Sequence, residues 1–254
     1  MTPTSTIDVS GTAPLDHRTA SELQATELDR TLDLLRSLDQ DDWTARTACP
    51  DWDVREMDLH VLGACEASAS MKENAHQMRV ARKHRKQHGG PLEAALSNVQ
   101  VRERREITPA ELVARLGEIA PVTVRKRAAT PALMRRMKLA IDGPVVEKWT
   151  LGYLIDTIYL RDTWMHRVDA ADATGRELVL TADHDGRIVA DVVAEWARRH
   201  ARPFDLTLTG PAGGHYGAGG PVDTETIELD AVDFCRILAG RREGAGLTTT
   251  IVPF

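Results

Sequence analysis

The feature that most constrains this chain is one helix-length stretch, residues 151–173, apolar for much of its course but interrupted by Arg161-Asp162-Thr163-Trp164-Met165-His166-Arg167-Val168-Asp169. At about 100° per residue, Ile155, Ile158, Asp162, Met165, His166 and Asp169 share one narrow arc of such a helix. A carboxylate and an imidazole therefore point inward among apolar neighbours. Burying them unpartnered costs several kcal/mol, and a divalent metal is the partner that Asp and His at i and i+4 suit best. An Asp-x3-His pair is common in helices by chance, so other elements must complete the site.

Upstream, Leu23, Leu28, Leu32, Leu35 and Leu38 recur at three- to five-residue steps, the pattern of an amphipathic helix over residues 17–38. Asp53 and Glu56 make a capping box for a second helix, residues 54–71, whose inward face holds Met57, His60, Val61, Ala64 and Ser68, with Arg55, Asp58 and Glu66 off it. A lone inward histidine is more often a hydrogen-bonded core residue than a ligand, but His60 gains weight beside Asp162 and His166. Thr108-Pro109-Ala110-Glu111 opens a third helix, and Thr150 caps the long one, which Gly175 ends. Helices starting near residues 17, 54, 108 and 151 make a four-helix bundle the simplest architecture, with ligands supplied by facing helices. Residues 72–88 read as a solvated basic helix face, or alternatively as a rim that draws in anionic substrates. Leu133, Met134, Met137 and Leu139 read as core filling.

After Gly175 the composition changes. Residues 188–201 predict a helix with Val189, Val192, Val193 and Trp196 inside, and residues 204–210 alternate like a half-buried strand. The glycine-rich residues 213–220 lack the Lys-Ser/Thr of a phosphate-binding loop and predict a hairpin instead. A strand at 226–229, a helix at 231–238 capped by Asp230 and a last strand at 248–252 complete a small C-terminal α+β domain over residues 176–254. The fold class is α+β overall: a disordered tail over 1–16, a helical bundle over 17–175, then that domain.

A formal charge of −6 gives no general reason to expect nucleic acid or an anionic membrane. Two segments are locally basic, with 9 Lys/Arg against 3 Asp/Glu over residues 72–105 and 6 against none over 125–138. The first lacks the aromatic residues that stack on single strands. Three widely spaced cysteines fit a reducing, cytoplasmic setting, with Cys49 and Cys65 as small buried hydrophobes. No apolar run is long enough to span a membrane.

Trp43, then Cys49-Pro50-Asp51-Trp52-Asp53-Val54-Arg55 with His60, then residues 161–169, together resemble the mycothiol-dependent maleylpyruvate isomerase family of DinB-like metal-binding four-helix bundles. The resemblance covers residues 17–175 by motif. Asp233-Phe234-Cys235-Arg236 and Ala239-Gly240-Arg241 look like that family's second, sterol-carrier-protein-like domain. It implies a zinc site of His, Glu and His, carried onto His60, Asp162 and His166, with Asp162 a methylene shorter than the family's usual Glu. It also implies mycothiol, the low-molecular-weight thiol of actinobacteria, as cofactor, activated by the metal for addition to an electrophilic carbon of the substrate. An isomerase would then expel the thiol after rotation about the former double bond, whereas a transferase would keep it attached.

Around that site, Arg161 and Arg167 are candidates to clamp a substrate carboxylate, and Asp169 to orient His166. The expected partners are an anionic small molecule and the thiol, with no nucleic acid or membrane, in a monomer or homodimer. The rival readings are a metal-dependent hydrolase on the same bundle and a non-catalytic small-molecule-binding module.

Overall fold

The computed structural model describes residues 7–9, 12–143, 146–219 and 224–254. The chain divides into two compact units, one of them His17–Leu178 and the other Val179–Phe254 together with the described residues ahead of His17.

After a two-residue strand, β1 (Ile7–Asp8), the chain enters the helical unit with α1 (His17–Arg36), α2 (Val54–Ala69), α3 (Met71–His88), α4 (Leu92–Arg102) and α5 (Pro109–Ala128). There follow a single turn, α6 (Ala132–Arg135), the antiparallel hairpin of β2 (Lys138–Asp142) and β3 (Val146–Thr150), the short α7 (Leu151–Tyr153) and the long α8 (Tyr159–Thr174). Helices α1, α2, α5 and α8 pack on one another as the expected bundle. Leu28, Leu32, Leu35, Val54, Met57, Leu62, Leu112 and Leu116 are among its buried core. Both capping boxes form. Glu56 N donates to Asp53 Oδ1 at 2.8 Å and Asp53 N to Glu56 Oε2 at 3.2 Å, and Thr108 and Glu111 do the same at the start of α5.

The sequence pattern leaves α4 unrecognised, and with it a hairpin of α3 and α4 that lies against α2. With that hairpin on one side and the bundle on the other, α2 is enclosed nearly all round. Asp58, expected off the inward face, is 2% exposed and lies on the side of α2 that feels His166 of α8. Leu133, Met134 and Met137 go the other way: they are 79%, 46% and 54% exposed, because the chain there forms one helical turn and a two-stranded hairpin.

Between α7 and α8, residues Leu154–Ile158 form a π-helical turn. Such a turn holds one residue more than an α turn, so the arc reckoned at a constant 100° does not run unbroken from Ile155 to Asp162. Ile155, Asp156, Thr157 and Ile158 are all buried. The turn is anchored: Gln24 of α1 donates to the Ile155 carbonyl at 2.6 Å, His17 Nδ1 lies 2.7 Å from Asp156 Oδ1, and Arg135 also pairs with Asp156. Thr150 caps the entry, accepting from Tyr153 N at 3.0 Å, and Gly175 ends α8 with φ +68°. An added Cβ at Gly175 would meet nothing within 4 Å, so Gly175→Ala is expected to cost only the left-handed backbone penalty, about 1 kcal/mol, read as a lower denaturation midpoint.

The second unit is a four-stranded sheet in the order β1-β5-β4-β6, where β4 is Phe204–Thr209, β5 Gly214–Ala218 and β6 Glu225–Asp230. β5 is antiparallel to β4, while β1 and β6 are parallel to their neighbours. Phe204, Leu206 and Leu208 of β4 are buried on one face. Helix α9 (Arg187–His200) brings Trp196 edge-on to Phe204 at 4.8 Å and to Phe234 at 5.3 Å, the latter on α10 (Ala231–Leu238). Trp196 Nε1 donates to the Leu247 carbonyl at 3.0 Å. Two expectations are corrected here. Ile7 and Asp8 of the supposed tail are strand β1, paired to Tyr216 and Gly217, with Val9 and Leu15 buried behind them. In place of the expected last strand over residues 248–252, the chain forms a 3-10 turn over Gly246–Thr249 and then a stretch in which Val252 N donates to the Leu238 carbonyl at 3.1 Å; Thr248 and Val252 are buried.

Candidate metal centre

His60 comes from the middle of α2, Asp162 and His166 from successive turns of α8. The two helices pack against each other, and their three side chains meet around the carboxylate. His60 Nε2 lies 3.5 Å from Asp162 Oδ2 and His166 Nε2 lies 3.3 Å from Asp162 Oδ1. One ligand atom from each residue falls within 4.8 Å of the others. The shorter aspartate therefore reaches both imidazoles, one with each oxygen. The His166 side chain is 5% exposed, His60 12% and Asp162 27%, so the cluster opens on the Asp162 side.

The rings are held by their surroundings. Trp52, in the turn before α2, stacks on His60 with centroids 5.2 Å apart and planes 28° from parallel, and the two imidazoles meet edge-on at 5.4 Å. His60 Nδ1 lies 2.7 Å from Gln100 Oε1, an oxygen that can only accept. The neutral ring consequently carries its proton on Nδ1 and turns the Nε2 lone pair toward Asp162. Two electron-pair donors face each other there, an arrangement that suits a cation between them.

Burial by itself would raise Asp162, but the neighbouring His166 outweighs it and holds the carboxylate well below its ordinary range. Burial would likewise lower His166, yet Asp162, with a smaller share from Cys49, raises it to about 10. Positive charge is thus strongly favoured at this point. Two imidazole nitrogens and a carboxylate with one side open are the donor set of a zinc site that accepts an exogenous ligand, and the residues present fit such an ion.

Asp169, one turn beyond His166, is 1% exposed, and one of its oxygens, the Cys49 thiol and a His166 ring nitrogen lie within 4.8 Å of one another. Cys49 is thus a half-buried neighbour of the site, where the sequence suggests an inert hydrophobe; Cys65 is buried. Arg161 is 1% exposed. Arg167 is withdrawn from the expected clamp. Its Nε and Nη2 lie 2.6 and 3.1 Å from the two oxygens of Glu27 on α1, a bidentate pair with side chains 2% and 0% exposed. Asp58, on α2 beside the site, has no hydrogen-bond partner for Oδ2 among the described residues, and burial pushes its carboxyl up to about 7 against the pull of His166.

Residues 25–171 match the family described as Mycothiol maleylpyruvate isomerase N-terminal domain. The chain belongs to that family. No curated protein sequence matches it. Two crystal structures of the mycothiol-dependent maleylpyruvate isomerase share its fold. One superposes with a TM-score of 0.58 at 16% identity, covering 97% of this chain and 98% of that one. The other, a point mutant of the enzyme, gives 0.57 at 15%, covering 93% and 92%.

In this member of the mycothiol maleylpyruvate isomerase family, the site residues outside the sequence motifs are Gln100 on α4 and, behind it, Gln77 on α3, which are 3% and 0% exposed. Their helices are polar enough to look solvated. One signal was available: Gly63, a glycine in mid-helix, marks a close approach. A Cβ there would stand 2.6 Å from Gln100 Cβ.

Proposed function

We propose that the protein is a mycothiol-dependent isomerase of the maleylpyruvate isomerase type, using a divalent metal, zinc by its donor set, held by His60, Asp162 and His166. The observation that carries this reading is the convergence of two imidazoles on one carboxylate, at 3.5 and 3.3 Å, inside the segment that matches the family. When bound, such an ion supplies Lewis acidity that keeps a coordinated thiol deprotonated at neutral pH.

The chain's own residues do the rest. His60 and His166 present ring nitrogens from two rigid helices, Trp52 fixes the plane of the His60 ring, and Asp169 lies where it can orient His166. Arg161, the other residue expected to clamp a substrate carboxylate, is 1% exposed on the same helix. Among the described residues no helix is long and apolar enough to cross a membrane.

The test is turnover of a cis-configured unsaturated dicarboxylate by zinc-loaded protein with and without mycothiol. Isomerisation that requires the thiol and leaves its concentration unchanged is the expected result. Consumption of the thiol would assign a transferase instead, and thiol-independent turnover of an ester or amide would replace the reading with a hydrolase.

A further inference from the structure

We propose that Gln100 and Gln77, on the α3/α4 hairpin outside the four-helix bundle, are positioning residues that set the tautomer of His60 and so turn its Nε2 toward the cluster. The use made of that nitrogen rests on the metal-site reading above; the tautomer does not.

The polarity of the relay follows from its far end. Gln77 Nε2 donates to the Gly63 carbonyl at 3.0 Å and to Glu73 Oε1 at 2.9 Å. A backbone carbonyl has no proton to give. Glu73 has none either: burial pushes its pKa up, but Gln77 and Arg104 bring it below the ordinary value, and Arg104 Nη2 already donates to Oε1 at 2.8 Å. The amide nitrogen of Gln77 is therefore fixed, and its oxygen must face Gln100. Gln100 Nε2 donates to that oxygen at 2.9 Å, which leaves Gln100 Oε1 for His60 Nδ1 at 2.7 Å. Turning over either amide would set two donors or two acceptors face to face in a buried place. Every link thus has one orientation, and the last requires Nδ1–H on His60.

The hairpin is fastened at that point. Arg104, 5% exposed, donates through Nε to Glu66 Oε2 at 2.8 Å and through Nη1 to the Gln100 carbonyl at 3.0 Å, tying α4 to α2 and, through Glu73, to α3. Gly63 makes the approach possible, since an added Cβ would stand 2.6 and 2.8 Å from Gln100 Cβ and Cγ. The excursion that looks like decoration on the bundle therefore supplies the outer support of one ligand. Such partners commonly alter metal affinity by about 10–100-fold when lost.

The experiment uses the full chain, labelled with 15N-histidine, as wild type, Gln100→Leu and Gln77→Leu, with circular dichroism to establish that each variant folds. Long-range 1H–15N correlation spectra of metal-stripped protein report the His60 tautomer, and competition with a chromophoric chelator reports zinc affinity. Wild type should show Nδ1–H. Gln100→Leu should lose that preference, and Gln77→Leu, which never touches His60, should yield a mixture because Gln100 is then free to turn. Both should weaken zinc by about 10–100-fold. An Nε2–H tautomer in wild type, or an unchanged tautomer in a folded Gln100→Leu, overturns the relay. Zinc uptake by wild type with no tautomer response in either variant overturns the relay and leaves the metal site standing. A responsive tautomer in a protein that takes up no zinc supports the relay and removes the metal site.

Discussion

His166→Ala is expected to take the purified protein from about one divalent ion per chain to none, and thiol-dependent turnover with it. His166 is the best-buried of the three candidate ligands, and the pull of Asp162 on it shows how strongly the pocket favours positive charge. Its loss leaves Asp162 with a single imidazole 3.5 Å away, two protein ligands where a zinc ion of this class has three. Elemental analysis after identical handling decides the matter. His88→Ala is the proper control because His88 is exposed at the end of α3, whereas His17 is not a neutral choice: it pairs with Asp156 and reaches the Ala128 carbonyl. Equal metal in His166→Ala and wild type would remove the proposed ligand set.

The second large effect is on stability. Arg167→Ala is expected to cost about 3–5 kcal/mol, because it takes a bidentate guanidinium partner from Glu27, whose side chain is 0% exposed. Replacing both partners together, Arg167→Met with Glu27→Leu, should recover most of that loss, since two apolar groups of similar size leave no charge to desolvate. Thermal unfolding followed by circular dichroism would show the single variant lower by roughly 10 °C for a chain of this length. A single variant that unfolds with wild type would mean that water reaches Glu27.

Much of this molecule is written in local pattern. The four bundle helices, the caps at Asp53, Thr108 and Thr150, the stop at Gly175 and the alternation of β4 all follow from periodicity and capping chemistry that act within a few residues. The meeting of His60, Asp162 and His166 was legible for the same reason: each sits on an inward face of a helix whose phase the sequence displays. What escaped depends on contacts distant in sequence. Gln77 and Gln100 lie on helices that look solvated, and only their docking on α2 buries them. Nothing around Arg167 announces Glu27, and nothing in the first residues announces that Ile7 lies beside Tyr216. The π turn is hidden too, since an extra residue in a helix leaves the hydrophobic pattern almost intact while changing where everything after it points.

That pairing of β1 with β5 has a consequence for synthesis. Two residues ahead of the helical unit close an edge of a sheet whose other strands follow that unit, so the whole helical unit emerges from the ribosome before β1 has anything to pair with. The sheet cannot be completed vectorially. The entropic cost of closing so long a loop grows only slowly with its length, which makes the arrangement tolerable at equilibrium while delaying it in time. A circular permutant that places residues 7–16 directly after Phe254 would make that strand local and should bring the completion of the sheet forward.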